Sequence, residues 1–343
     1  MGELEEKINQ YYNYNASVTP AFPKTMLLET TNCCNHSCIF CSYSKMTRPR
    51  GFMREELAYR LLEEAYQEGV KEVGFYMLGE PLLDKNLEKY IRYAKKIGYS
   101  YTFITTNGSL LSEEKMITII DSGLDSIKIS LNGGSKEHYL FAHGVNCFDV
   151  VKDNIIRLSN YRKQNEYNFK IYISCVITKY TQNEDRKIID LFSPYVDDIM
   201  ILKCNSQESN MRDEVESTLK IDGTNNDFGE KGFCYYPFNR LNITYEGYLS
   251  LCCSDYRNFL IIEDLNHMSL KDAWNSEKFQ QIRQRHIDGN LEGTLCYNCL
   301  NNADSYIKPI SESYACPENQ DLDERLKMIQ SRIDRLLEAD RGN

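Results

Sequence analysis

Residues 34–41 read Cys34-Asn35-His36-Ser37-Cys38-Ile39-Phe40-Cys41. The three cysteines of this stretch have the spacing Cys-x3-Cys-x2-Cys and stand on one short loop. Three thiolates can hold three irons of a 4Fe-4S cube, whereas a closed cube takes four ligands from the protein. One iron would therefore stay open. A zinc site or a set of buried thiols is the alternative, but zinc prefers ligands in two pairs, and His36 lies inside the loop with poor reach.

Three stretches downstream of the cysteine loop stand at the ends of strand-like segments. They are Leu78-Gly79-Glu80-Pro81, Thr105-Thr106-Asn107-Gly108 and Ser130-Leu131-Asn132-Gly133. Alone, each is an ordinary turn. In this order behind the cysteines they resemble the motifs of the radical S-adenosylmethionine (SAM) enzymes, although Leu78 replaces the first glycine of that family's GGEP motif.

The resemblance implies a cofactor and its contacts. In the family the open iron chelates the amino and carboxylate groups of SAM, and an electron from the cluster releases a 5'-deoxyadenosyl radical. The matching positions of this sequence are Phe40 against the adenine and Gly79, Glu80, Pro81, Asn107, Ser130 and Asn132 around the rest of SAM. The cofactor would carry the difficult chemistry while the protein positions it.

Residues 24–204 alternate between strand-like and helix-like patterns. Six strands are expected, at 24–29, 72–77, 101–105, 126–131, 169–177 and 199–202. Repeated strand-helix units imply a parallel sheet with right-handed crossovers. The expected fold is therefore α/β, a partial (β/α)6 radical SAM barrel with its site at the carboxyl ends of the strands. Residues 1–23 are expected to pack on the outside as a polar lead-in, and 205–231 to form a linker.

A second group of cysteines follows that linker. Cys234 is followed by twelve residues, Gly247, four residues and Cys252, and the pair Cys296-x2-Cys299 comes later. A hairpin at 244–249 would bring Cys234 and Cys252 to one end. Four thiolates suffice for one closed 4Fe-4S cluster, and a zinc ribbon is the competing interpretation.

This second pattern resembles the C-terminal SPASM and twitch domains of radical SAM enzymes, and so does the helix expected from Ser269 to about His286. The resemblance implies an auxiliary cluster domain at 232–310. A full SPASM domain would have a cysteine at the position of Ser305, so the shorter twitch form with one auxiliary cluster is expected. Cys253 and Cys316 are spare in this scheme.

Charge and the terminal sequences indicate which partners and which cell compartment to expect. A net charge of -10 argues against nucleic acid or an anionic membrane as a partner. The first residues show neither the charged nor the apolar region of a signal peptide, so a cytoplasmic protein with reduced thiols is expected. In the tail, 311–343, apolar residues recur four and three apart from Leu322 to Leu336. Such a short seam usually docks on its own domain, and a homodimer is the alternative.

The resemblance also implies a reaction. A closed auxiliary cluster suits electron transfer, and the similar twitch-bearing enzymes include the aminocyclitol (2-deoxy-scyllo-inosamine) dehydrogenase type. We therefore expect two 4Fe-4S clusters, SAM, a flavodoxin- or ferredoxin-type reductant and oxidation of a small polyhydroxylated substrate. A peptide-modifying enzyme, or a redox-neutral sugar epimerase or decarboxylase, is the alternative. Arg240, Asp255 and His143 are candidates for a base, without a pattern that assigns one.

Overall fold

The computed structural model describes residues 2–10, 15–205, 211–221, 234–301, 303–317 and 322–342. The strands of its first part are β1 (Thr25–Leu28), β2 (Glu72–Gly74), β3 (Tyr101–Thr106), β4 (Ser126–Ser130), β5 (Lys170–Ile177) and β6 (Asp198–Lys203). The helices of this part are α1 (Glu3–Gln10), α2 (Glu55–Gln67), α3 (Leu87–Ile97), α4 (Glu113–Asp121), α5 (Lys136–His143), α6 (Phe148–Gln164) and α7 (Glu184–Phe192). The six predicted strands are confirmed.

The second part contains three short strands and a series of helices that ends in the longest helix of the described residues. Its strands are β7 (Arg240–Ile243), β8 (Tyr248–Ser250) and β9 (Ile261–Asp264). Its helices are α8 (Arg212–Glu214), α9 (Tyr236–Asn239), α10 (Leu270–Trp274), α11 (Glu277–Ile287), α12 (Leu295–Asn301) and α13 (Leu322–Gly342). The single helix predicted from Ser269 to His286 is wrong, because the chain bends at Asn275 and Ser276 caps a new helix by accepting a hydrogen bond from the Phe279 N–H.

The nine strands of the described residues form one sheet in the order β6-β5-β4-β3-β2-β1-β7-β8-β9. Strands β1 to β6 pair in parallel, as predicted. The hairpin β7–β8, predicted around Gly247, is also present, with Gly247 in the left-handed region at its turn. Strand β7 pairs in parallel with β1, so the second cysteine group is built on a direct continuation of the first sheet.

The two faces of this sheet differ. Met26 and Leu28 of β1 are fully buried against the helices. Leu27 points to the opposite face, where a Cβ on Gly74 would meet the side chains of Leu27 and Phe103. This alternation follows from the two-residue period of a strand and defines an inner face, opposite the helices.

Helix α1 closes one end of that inner face. The backbone N–H of Leu4 donates to the Asp198 carboxylate at 2.9 Å, and the Lys7 ammonium lies 2.8 Å from the centre of the Tyr101 ring. Tyr101 and Asp198 start β3 and β6, so α1 lies at the amino ends of the strands. Most α1 side chains are exposed, so this part of the lead-in lies at the surface and contacts inner-face residues at one end of the sheet.

Helix α13 docks on the cysteine loop. Ile329, Ile333 and Leu336 are buried in a small core with Ile39 and Phe40. The docking of the tail on its own domain, predicted from the apolar spacing, is thereby confirmed. A homodimer stays a prediction.

The predicted linker, 205–231, falls for the most part outside the described residues. Its described piece, 211–221, buries Val215 and Leu219 in the same small core as α13, so this piece packs on the protein. Of the helices in the described ranges, none combines the length and the apolarity that crossing a membrane requires.

Candidate active site

The cysteine loop lies between β1 and α5. The backbone N–H groups of Ser37 and Ile39 donate to carbonyls at the end of α5, at 3.1 and 2.9 Å. The thiols of Cys34, Cys38 and Cys41 interact electrostatically with one another, so the fold brings all three together. Burial raises the pKa of Cys34 to about 12 and that of Cys38 well above its ordinary value. Buried thiols in this arrangement suit a cation that takes them as thiolates, as a cluster iron does.

Gly79 brings the loop after β2 against the start of the cysteine loop. A Cβ at this position would lie 2.2 Å from the Thr31 carbonyl oxygen and 2.8 Å from that of Cys33. The Glu80 N–H donates to the same Cys33 carbonyl at 2.7 Å. Only glycine permits this approach of two backbones. Leu78 at the preceding position is compatible with it, because its N–H faces the Glu29 carboxylate at 3.4 Å.

Glu80 joins two of the predicted motifs. Its carboxylate accepts hydrogen bonds from the Thr106 hydroxyl at 2.6 Å, the Asn107 N–H at 2.7 Å and the Leu82 N–H at 3.1 Å. Burial raises the pKa of Glu80 to about 7, and these three hydrogen bonds act in the opposite direction. Pro81 follows as the first residue of a short 3-10 turn and is buried. The carboxylate therefore fixes the strand ends of β2 and β3 relative to each other.

Asn107 braces the cysteine loop. Its amide nitrogen donates to Asn35 Oδ1 at 2.8 Å, and its Oδ1 accepts from the Ser109 hydroxyl at 2.7 Å. Ser109 in turn lies 3.2 Å from His36 Nε2. His36 is thus directed to this network.

His143, at the end of α5, contacts the central cysteine. The backbone N–H of Asn132 donates to His143 Nε2 at 3.1 Å, which assigns the ring proton to Nδ1. Nδ1 lies 3.5 Å from Cys38 Sγ and 3.3 Å from His36 Nδ1. Burial lowers the pKa of His143 well below its ordinary value, so the ring is neutral. This role could not be found from sequence, because 105 residues separate His143 from Cys38.

The other predicted SAM contacts, Ser130, Asn132 and Phe40, differ in how exposed their side chains are. Ser130 ends β4 on the inner face and is partly exposed. The side-chain Oδ1 of Asn132 accepts a hydrogen bond from the Val176 N–H at 2.7 Å and so links the end of β4 to β5. Phe40 is 7% exposed and packs in the core under α13. Ser130 is accessible from the inner face, whereas the Asn132 and Phe40 side chains contribute to packing.

The second cysteine group converges on one pocket with apolar walls. Leu251, Leu260 and Leu295 form part of its walls. Its lining also includes all four predicted ligands, Cys234, Cys252, Cys296 and Cys299. Burial raises the pKa of Cys296 above its ordinary value. Four thiols around an apolar pocket fit a closed cluster with four protein ligands. His286 also lines this pocket, a residue that the sequence patterns did not indicate.

The spare cysteines stand beside that pocket. Cys253 receives a contact from an Arg240 guanidinium nitrogen at 3.4 Å, and the Cys316 N–H donates to the Arg257 carbonyl at 2.8 Å. Neither is among the residues that line the pocket in the described part of the chain. Asp255 accepts three backbone N–H bonds within its own loop, so its carboxylate organises that loop.

A buried ion triad joins the region of the cysteine loop to the β7–β8 hairpin of the second cysteine group. The Arg48 guanidinium, just after the cysteine loop, lies 2.5 Å from the Glu29 carboxylate and 2.5 Å from that of Glu246. Glu29 follows β1, and Glu246 is in the β7–β8 turn. The Tyr245 N–H also donates to Glu29, at 3.1 Å. The triad therefore fixes the hairpin against the loop.

Comparison with known proteins agrees with this geometry. The radical SAM superfamily matches residues 28–192, and the iron-sulfur cluster-binding SPASM domain matches residues 234–300. An uncharacterized protein of Methanocaldococcus jannaschii is 33% identical over 184 residues, 53% of this chain and 58% of that protein, so the match spans little more than half of its length. A SAM-dependent 2-deoxy-scyllo-inosamine dehydrogenase of Niallia circulans is 21% identical over 278 residues, 80% of this chain and 91% of the enzyme.

Among solved structures, Streptococcus suis SuiB bound to the precursor peptide SuiA superposes with a TM-score of 0.60 at 18% identity. The superposition covers 81% of this chain and 69% of SuiB. It shows a shared fold. The radical SAM domain binds SAM and a 4Fe-4S cluster, and the SPASM domain binds additional iron-sulfur clusters. The chain carries a radical SAM domain followed by a SPASM iron-sulfur cluster-binding domain.

Proposed function

We propose that the protein is a radical SAM oxidoreductase that dehydrogenates a small polyhydroxylated molecule. The observation that carries this proposal is the convergence of Cys234, Cys252, Cys296 and Cys299 on one pocket. A fully protein-ligated second cluster leaves no iron open to substrate, so it suits the acceptance of an electron. The alignment over most of the Niallia circulans dehydrogenase supports the same reaction.

The protein's residues have distinct tasks in this proposal. Cys34, Cys38 and Cys41 would hold the SAM-binding cluster, and the loop of Gly79 and Glu80 would receive the SAM amino group. Bound there, these cofactors supply a 5'-deoxyadenosyl radical, and the second cluster supplies an electron acceptor. Converting CH–OH into C=O removes one hydrogen atom, one proton and one electron. The cysteine loop would hold the cofactors that remove the hydrogen atom, and the auxiliary pocket would hold the cluster that accepts the electron.

A peptide substrate is the second candidate. SuiB, named with a precursor peptide, shares the fold over 81% of this chain. Peptide modification, like redox-neutral epimerisation or decarboxylation of a sugar, uses the same radical but yields a different product. Product analysis therefore separates the candidates.

The experiment uses the anaerobically reconstituted protein with SAM and a flavodoxin- or ferredoxin-type reductant. Sugars, cyclitols and aminocyclitols are screened for 5'-deoxyadenosine together with a ketone product two mass units lighter than the substrate. A Cys252→Ser/Cys299→Ser variant should retain deuterium transfer from substrate to 5'-deoxyadenosine while losing the ketone. Ketone formation at the wild-type rate in this variant would refute the electron-accepting role of the auxiliary pocket.

A further inference from the structure

Two cationic side chains stand on the inner face of the sheet. Lys128 lies on β4 between Ile127 and Ile129, which are buried on the helix side. Arg240 starts β7, next to Leu241, which is buried in the same core. By strand alternation, both cations therefore point to the inner face, and both are partly exposed there.

Tyr76 interacts with both cations. The Lys128 ammonium is 5.9 Å from the centre of the Tyr76 ring, and Arg240 interacts electrostatically with Tyr76. The Arg240 guanidinium also lies 3.6 Å from the centre of the Tyr236 ring. The aromatic rings hold the cations in place but supply no full negative charge.

Both cations lack a carboxylate partner. Within the described ranges, neither forms an ion pair with an aspartate or a glutamate, and the buried Nε of Arg240 has no hydrogen-bond partner. Arg48 shows the contrast, because two carboxylates flank its buried guanidinium. Arg240 contacts the Cys253 thiol, and Lys128 contacts no acidic group in the described ranges. Because a poorly hydrated charge is costly without an opposite charge, a ligand anion would stabilise this pair of cations.

The position of this pair relates it to both cysteine regions. Lys128 is two residues before Ser130, at the strand end beside the radical site. Arg240 contacts Cys253, the neighbour of Cys252 in the auxiliary pocket. An anion held by the pair would lie on the inner face between the two regions.

We propose that Lys128 and Arg240 bind a phosphate or carboxylate group of the substrate. The inference rests on the proposed function and narrows its substrate class to a sugar phosphate or a sugar acid. An aminocyclitol would present an ammonium group to two cations, and this repulsion disfavours it. Anionic oxygens would fill the hydrogen-bonding capacity that Arg240 Nε leaves unused.

The test measures binding without turnover, by calorimetry on the reconstituted holoenzyme with SAM. The probes are inorganic phosphate, D-glucose 6-phosphate, D-glucuronate and neutral D-glucose. The acidic probes should bind about tenfold or more tightly than glucose, and Lys128→Met or Arg240→Met should each remove about tenfold of that affinity. Phosphate and glucuronate separate the two sources of anionic oxygen. Lys115→Met, which removes a cation paired with Glu88 on the helix side, should change nothing.

Two kinds of outcome would overturn the proposal. One is a failure of the acids as ligands, in which glucose binds as tightly as they do or none of them binds. The other is that Arg240→Met weakens binding while Lys128→Met does not, which would assign Arg240 to the charge of the neighbouring auxiliary cluster. A holoenzyme that binds the acids but oxidises no sugar would instead refute the dehydrogenase and leave the anion site standing.

Discussion

Replacing Arg48 by methionine should destabilise the protein strongly. The Arg48 and Glu29 side chains are fully buried and that of Glu246 is 14% exposed, so this ion triad is almost completely out of water. Removing one partner of a buried pair leaves an uncompensated charge and typically costs about 3–5 kcal/mol. Burial already raises the pKa of Glu29, and loss of the guanidinium would raise it further.

The free energy of unfolding can be measured by anaerobic urea titration of the cluster-free protein. Its single tryptophan, Trp274, is 1% exposed and lies in the second cysteine region, so its fluorescence reports on that region. Lys271→Met is a matched control, because Lys271 also joins the two parts of the chain through Glu68, but its side chain is 62% exposed. An exposed pair of this kind contributes about 0–1 kcal/mol.

The pH dependence gives a second check. Without Arg48, Glu29 must be protonated or remain charged in the interior, so the loss of stability should grow as the pH rises. The double variant Arg48→Met/Glu29→Gln should recover part of it. If Arg48→Met changed the unfolding free energy by no more than Lys271→Met does, the triad would not be a structural link between the two regions.

Three further predictions concern the radical site. His143→Leu should lower the reduction potential of the SAM-binding cluster, because a hydrogen bond to the Cys38 sulfur stabilises the more negative reduced state. Each ~1.4 kcal/mol of lost stabilisation of the reduced cluster lowers the potential by about 60 mV, which an EPR-monitored titration measures. An unchanged potential would exclude that hydrogen bond. Gly79→Ala should weaken SAM binding in equilibrium dialysis, since its Cβ would lie 2.2 Å from the Thr31 carbonyl oxygen. Glu80, with its pKa raised to about 7 by burial, binds a cation best when ionised. SAM affinity should therefore fall as the pH drops below that value, and Glu80→Gln should abolish this dependence.

The cysteine loop and the strand order could be predicted because their signals are local. Cys34, Cys38 and Cys41 are seven positions apart at most, and the alternation of strands and helices repeats along the chain. The spacing of Cys234, Gly247 and Cys252 similarly predicted a hairpin that the structure contains.

Other features depend on contacts between distant parts of the chain. The pairing of β7 with β1 and the Arg48 triad join residues about 200 positions apart in sequence, and no local pattern encodes them. The same holds for Arg332 of α13, which donates to the Ser37 carbonyl at 2.9 Å. The packing of Phe40 under α13 is another such distant contact, whereas the adenine contact that its motif position predicts stays a prediction.

The iron content of the reconstituted protein, measured together with 5'-deoxyadenosine formation, tests the two-cluster assignment most directly. The comparison is between the native chain and a Cys34→Ala/Cys38→Ala/Cys41→Ala variant. With one radical cluster and one auxiliary cluster, about eight irons should fall to about four, with nucleoside release lost. Release of 5'-deoxyadenosine by the variant would contradict the assignment of the radical site, and about four irons falling to none would remove the auxiliary cluster from the mechanism.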